Sequence, residues 1–226
     1  MAVRPAGPMR RIVVTGASRG LGKGLVEAFR AAGHEVTGFS RSTGVDVSDA
    51  AAVESVAASV APIDLWVNNA GVLGPIGPLA EADPTEVAHH LEVNVLGVVH
   101  GTQAFLRHRS PDGVLVNITS GAAQTTYEGW GPYCAAKAAV DMLTEVVARE
   151  TGVRAYAVAP GVVDTDMQAE IRATPPERFP AVGRFQDLKR REAFNSPAWV
   201  ARHLLDLAFG DSRPPGVRWR VPDENT

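Results

Sequence analysis

The amino-acid sequence predicts an α/β fold, a doubly wound parallel sheet in a single domain, and three observations carry that prediction. Short β-branched runs ending in Gly, Asn or Ser alternate with longer stretches whose apolar residues recur three and four apart, the periods of strand and amphipathic helix. The central runs are apolar almost without interruption, as strands covered on both faces are. A glycine-rich segment joins the first run to the first helical stretch, where open α/β sheets hold a phosphate group.

In chain order, residues 12–15 form the first strand and 20–32 the first helix. Residues 35–39 are the second strand, 50–61 the second helix and 65–68 the third strand. A long helical pattern spans 84–107, a strand 113–118, a helix 133–151 and a strand 154–158. The last helix, 197–209, has Ser196 as its cap and Pro197 at its first position, the chemistry a helix start favours. Residues 217–221 supply a final strand. Residues 1–10 carry arginines but no apolar core and are expected to be a short flexible tail, leaving 11–226 as the domain. From about 166 to 195 the chain is rich in proline and charge, with Phe179, Phe185 and Phe194 interspersed. Connections this long in compact domains are usually functional, so a substrate lid containing some helix is expected. Within it Lys189, Arg190 and Arg191 precede Glu192 and read as a solvated helix face.

A length of 226 residues suits one α/β domain. Hydrophobic content of 45%, charged content of 21% and a formal net charge of -3 give no basis for nucleic-acid or membrane partners. The single cysteine, Cys134, excludes an internal disulfide and any multi-cysteine metal site, and points to a reducing compartment, the cytoplasm. The histidines show no metal-ligand spacing. His89 and His90, adjacent on a helix, point in different directions and are expected at the surface.

After the first strand comes Thr15-Gly16-Ala17-Ser18-Arg19-Gly20-Leu21-Gly22, running straight into a helix. Glycines here let the backbone turn tightly and approach a pyrophosphate, whose charge meets the free N–H groups and dipole of the helix start. The domain is therefore expected to be Rossmann-like. Tyr133 and Lys137 lie four apart in a helical stretch, so both project from one face. A neighbouring ammonium favours the ionised phenol and lowers its pKa. Ser120 closes the strand at 114–119, at the carboxyl end where such sheets bind ligands, and its hydroxyl is placed to hold a substrate oxygen.

With these motifs the chain resembles the short-chain dehydrogenase/reductase family from about residue 11 to 209. The glycine turn matches at Thr15 to Gly22, an Asn-Asn-Ala-Gly element at Asn68 to Gly71, and a helical asparagine at Asn94. The serine matches at Ser120, Tyr-x-x-x-Lys at Tyr133 and Lys137, and a Pro-Gly segment with a following threonine at Pro160, Gly161 and Thr165. The resemblance implies that Tyr133 exchanges a proton with the substrate oxygen, Ser120 steadies that oxygen, and Lys137 tunes the tyrosine and bonds the nicotinamide ribose. It implies that Asn94 holds a water linking Lys137 to solvent. It implies that Gly16, Ser18, Arg19, Gly20, Leu21, Gly22, Asn69, Ala70, Gly71, Pro160, Gly161, Val163 and Thr165 line the cofactor, and that the members form homodimers or homotetramers.

The pattern departs from the family after the second strand. Only four residues separate Arg41 from Asp46, too few for a helical crossover. A compact variant lacking that helix is expected, with residues 45–47 at most a rudimentary edge strand. Asp46 and Val47 still match residues that touch adenine in the family. The second strand ends in Gly38-Phe39-Ser40-Arg41. Ser40 stands where an acidic residue would accept the ribose hydroxyls of NADH, and Arg41 suits a 2′-phosphate, so NADPH/NADP is the expected cofactor. The function implied is reduction of a ketone, diketone or pterin-like carbonyl to an alcohol. Reduction of a carrier-bound 3-oxoacyl group or a steroid, and a non-catalytic NADP(H)-sensing protein, are the alternatives.

Overall fold

The structure is a computed structural model that describes residues 8–211 and 214–225. Most of the expected tail, residues 1–7, lies outside the described residues. Its last residue is anchored, with the Arg10 guanidinium 4.9 Å above the Phe209 ring and 3.7 Å from Asp64.

A parallel sheet of six strands runs in the order β2-β1-β3-β4-β5-β6. These are β1 (Arg11–Thr15), β2 (Glu35–Phe39), β3 (Ile63–Asn68), β4 (Arg109–Ile118), β5 (Arg154–Ala159) and β6 (Arg218–Arg220). Period-two alternation sends β1 side chains to opposite faces. Ile12 and Val14 join a core with Leu25 and Phe29 of α1 (Gly20–Ala31) and Leu204 of α8 (Pro197–Phe209). Val13, with Trp66 of β3, joins a second core against Val53 of α2 (Ala50–Val60) and Phe105 of α4 (Gly97–His108). Burying both faces explains the unbroken apolar runs of the central strands.

The connection after β2 is compact, as expected. A single 3-10 turn, Arg41–Thr43, follows β2, and α2 then leads directly to β3 on the far side of β1. Residues 45–47 form no strand, because Val47 is drawn inward. Its side chain is buried, a Cβ on Gly97 would lie 2.7 Å from it, and its carbonyl accepts a hydrogen bond from His100. β2 is therefore one edge of the sheet, and β6 the other.

The helix expected over 84–107 is three pieces. α3 (Pro84–Leu91) starts on an Asp83 cap, Glu92–Leu96 is a π-helical turn, and α4 continues to His108. Such π-turns mark functional sites more often than chance, and this one carries Asn94. α5 (Gly131–Thr151) begins two residues earlier than its pattern suggested, with Pro132 in its first turn. The segment after β5 contains α6 (Asp166–Ala173) and α7 (Val182–Arg190). Its basic run is solvated as expected, with Lys189 paired to Asp164 and Arg190 to Asp187. The Pro222-Asp223-Glu224 ending has a structural use: the Glu224 carboxylate accepts from the Ser196 backbone N–H and hydroxyl, closing the chain over the start of α8.

Candidate active site

Every element of the site lies at the carboxyl edge of the sheet, where β1, β3, β4 and β5 end. At β1, the Thr15 hydroxyl accepts from the backbone N–H groups of Asn69 and Ala70 at 3.0 and 2.9 Å. Asn69 Nδ2 donates back to the Thr15 carbonyl at 3.0 Å. The glycine turn is thus strapped to the segment after β3. Gly16 has φ +68 and a Cβ there would lie 2.7 Å from Ala70 Cα, while one on Gly22 would lie 2.3 Å from the Gly16 carbonyl oxygen. Only glycine fits either place. Arg19 caps α1 with extended backbone and no side-chain hydrogen bond, and the first turn has no acidic residue. The helix-start N–H groups are left for an anion, so a dinucleotide pyrophosphate fits this turn. Thr165, just before α6, closes on the same turn: a Cβ on Gly20 would lie 3.2 Å from its methyl group.

Next to it, Ser40 is buried and its hydroxyl lies 2.9 Å from that of Ser42. Arg41 is exposed, and neither Arg41 nor Arg19 forms an ion pair among the described residues. Asp46 Oδ1 accepts from the backbone N–H and hydroxyl of Ser48. That bond holds its pKa below the ordinary carboxylate range.

Tyr133 and Lys137 stand one turn apart on α5, both buried, with the ammonium 5.7 Å from the centre of the phenol ring. The Lys137 Nζ donates to the Ile118 carbonyl at the end of β4 at 3.0 Å. Burial pushes its pKa down to about 8, opposed by the carboxylate of Asp141 one turn further on. The expectation that Lys137 lowers the Tyr133 pKa is corrected: burial raises it, and a hydrogen bond with the Ser120 side chain only partly opposes that. Desolvating a phenolate outweighs one hydroxyl contact, so the shift favours the protonated phenol. Ser120, besides that bond, accepts from the Ala122 N–H at 3.1 Å.

The Asn94 amide makes three hydrogen bonds within the site. Its Nδ2 donates to the carbonyls of Val72 and His90 at 3.0 and 3.1 Å, and its Oδ1 accepts from the Val72 N–H at 3.2 Å. At β5, Gly161 has φ +76, Val163 is buried, and Asn195 Nδ2 donates to the Pro160 carbonyl at 2.9 Å. Cys134 Sγ faces the Thr125 carbonyl, and no group of three His, Cys, Asp or Glu able to hold a metal occurs among the described residues.

The segment expected to be a lid packs beside this centre. Phe179 is fully buried and stacks on Trp130 at 4.4 Å, while Trp130 meets the Tyr133 ring edge-on at 5.4 Å. Arg178 donates to the Ile76 carbonyl and pairs with Glu81. A groove of about 510 Å³ lies between Tyr127 and Ala181, but none of Ser120, Tyr133 or Lys137 lines it.

Two features escaped sequence reasoning. His90 is fully buried rather than at the surface, because α3 packs its last turn against α5; His89 is half exposed and faces Glu92. A buried polar chain runs from the Trp66 indole to Asn68, then to Asn117 and Thr144, at 2.7, 2.8 and 2.9 Å. It ties β3, β4 and α5 together under the site. Leaving one of its members unpaired would cost about 1–3 kcal/mol. For His90 a signal existed, since its spacing of four from Asn94 puts both on one helix face.

An anion-ready glycine turn beside a half-buried serine and a buried tyrosine and lysine at one sheet edge defines an oxidoreductase built for a nicotinamide dinucleotide. The comparisons agree. Residues 42–176 match the family model described as short chain dehydrogenase. The chain is 32% identical to the benzil reductase ((S)-benzoin forming) of Bacillus cereus, over 95% of this chain and 100% of that one. It is 36% identical to the L-xylulose reductase of Mesocricetus auratus, over 91% of this chain and 94% of that one. A solved short-chain dehydrogenase/reductase from Saccharomyces cerevisiae superposes with a TM-score of 0.84 at 26% identity, covering 95% of this chain and 97% of that one. The protein belongs to the short-chain dehydrogenase/reductase family, whose members use nicotinamide cofactors.

Proposed function

We propose that this protein is an NADPH-dependent carbonyl reductase that converts a ketone or diketone to an alcohol. The observation that carries the reading is the buried Tyr133, hydrogen-bonded with Ser120 beside an anion-ready turn. Ser120 orients the substrate oxygen, and the Tyr133 hydroxyl donates its proton to that oxygen as the carbonyl is reduced. When bound, the nicotinamide supplies the hydride. Lys137 spends one N–H on Ile118 and has two left for the ribose hydroxyls and for returning a proton to Tyr133. Main-chain atoms at Asn94 connect that proton to solvent.

Gly16 to Gly22 cradle the pyrophosphate, Ser40, Arg41 and Arg19 take the 2′-phosphate, and Asp46 and Val47 border the adenine. Asn69, Ala70 and Gly71 lie along the dinucleotide, and Pro160, Gly161, Val163 and Thr165 stand at its nicotinamide end. Relatives named for benzil, an aromatic diketone, and for L-xylulose, a keto sugar, support ketone reduction. A purely NADP(H)-sensing protein would have no use for a protonated tyrosine on Ser120. A screen of ketones, diketones, quinones and acyl thioesters, following absorbance of the reduced nicotinamide, tests the reading. Thioesters as the sole substrates would move it to 3-oxoacyl reduction, and no turnover with any of them would overturn it.

We place the protein in the cytoplasm on its one unpaired cysteine. Among the described residues no helix is long and apolar enough to cross a membrane. A homodimer or homotetramer is expected, because Leu91, Leu96, Met142 and Val146 expose apolar surface around α3, α4 and α5. Light scattering at micromolar concentration should give a multiple of 23.9 kDa; a monomeric mass would contradict it. Residues 166–195 act as the lid, swinging clear to admit substrate and closing to exclude water. Limited proteolysis should cut this segment faster in the free protein than with cofactor and substrate bound, and equal cutting in all states would sink the lid.

A further inference from the structure

His90 is a titratable residue with no part in the mechanism above, yet it touches two of its components, Tyr133 and Asn94. It is fully buried in the last turn of α3. Its Nδ1 lies 2.7 Å from the Gly74 carbonyl oxygen. A carbonyl only accepts, so Nδ1 carries the proton and donates. Its ring meets the Tyr133 ring at 6.1 Å and 74°, an edge-to-face contact. Its own carbonyl accepts from Asn94 Nδ2.

The loop after β3 is consequently held at two points by residues one helical turn apart. Asn94 grips both polar groups of the Val72 main chain, and His90 grips Gly74. Between them Leu73 is buried in the same cluster as Tyr133. Packing alone does not account for the residue. Its Nε2 is buried with no partner, a desolvation cost that phenylalanine or leucine would avoid. The pKa lies below its ordinary value, chiefly through burial and then through the charges of Lys137 and His89, against the opposing Gly74 bond.

We propose that His90 is a positioning residue for the reaction: through Gly74 and the Tyr133 ring it holds the loop along the dinucleotide and the proton donor in one fixed relation. It touches neither substrate nor cofactor. The inference rests on the reductase reading, and the test separates the two. His90→Phe keeps an aromatic edge against Tyr133 but loses the donor to Gly74. His90→Asn loses the ring but restores an N–H where Nδ1 stood.

His90→Phe should lower kcat about 10- to 100-fold, the scale of a small misplacement of reacting groups, with KM for cofactor within about twofold. His90→Asn should recover most of it. In parallel, hydrogen exchange at the Val72 and Leu73 amides should accelerate in His90→Phe and return toward the parent rate in His90→Asn. If the phenylalanine variant does not fold, His90→Leu takes its place. Retention of half the parent kcat, equal losses in both variants, or unchanged exchange would each overturn the proposal. A parent without turnover in the carbonyl screen would overturn the reductase reading instead, and the exchange comparison alone would then decide the role of His90.

Discussion

Tyr133→Phe is expected to abolish turnover, by about 10²–10⁴-fold, while cofactor affinity stays within about twofold. The substitution deletes one oxygen from a buried ring whose packing against Trp130 and His90 is otherwise kept. The glycine turn, α1 and the Ser40–Arg41 corner are untouched. The protonation state sets the sign: burial raises the phenol above its usual value, so at neutral pH Tyr133 is a donor, the form that carbonyl reduction consumes. Turnover with the best ketone from the screen, and cofactor binding followed by quenching of tryptophan fluorescence, measure the two halves. A variant keeping half the parent's turnover would remove the tyrosine from the mechanism. Intact turnover loss accompanied by lost binding would make Tyr133 structural.

Ser40→Asp combined with Arg41→Ala is expected to turn a strong NADPH preference toward NADH. Arg41 is exposed and has no ion-pair partner among the described residues, so its guanidinium is available to a 2′-phosphate. Ser40 is buried at the end of β2 without a charge. A charge-assisted hydrogen bond is worth about 1.5–3 kcal/mol, so losing Arg41 should weaken NADPH binding roughly ten- to a hundredfold. A carboxylate at position 40 repels the phosphate and accepts the ribose hydroxyls of NADH, widening the change. Steady-state kcat/KM with each cofactor, for parent and double variant, measures it. Equal use of both cofactors by the parent would remove Arg19 and Arg41 from phosphate recognition.

The proposal for Arg41 is local: a strand end, an absent acid and a guanidinium are read directly from adjacent residues. Tyr133, Lys137 and Ser120 were legible as a set, since helix geometry turns a spacing of four into a shared face and a strand end places Ser120 at the sheet edge. The protonation of Tyr133 was not legible. Spacing alone suggested an ammonium lowering the phenol pKa, whereas the folded chain turns that ammonium to the Ile118 carbonyl and buries both groups.

By itself, then, the sequence determined the alternation of strands and helices, the single shortened crossover after β2, the glycine turn and the short spacings of the candidate site residues. All of these depend on period, turn chemistry and short spacings. Tertiary structure alone decided that Val47 packs under α4, that the long helix is interrupted by a π-turn at Asn94, that the Asn68–Asn117–Thr144 chain runs beneath the site, and that His90 is buried against α5. Each of these joins residues far apart in the chain, as His90 joins Gly74 and Tyr133. No local pattern carries such a pairing, because the free energy that selects it comes from burial and from satisfying polar groups once the layers have met.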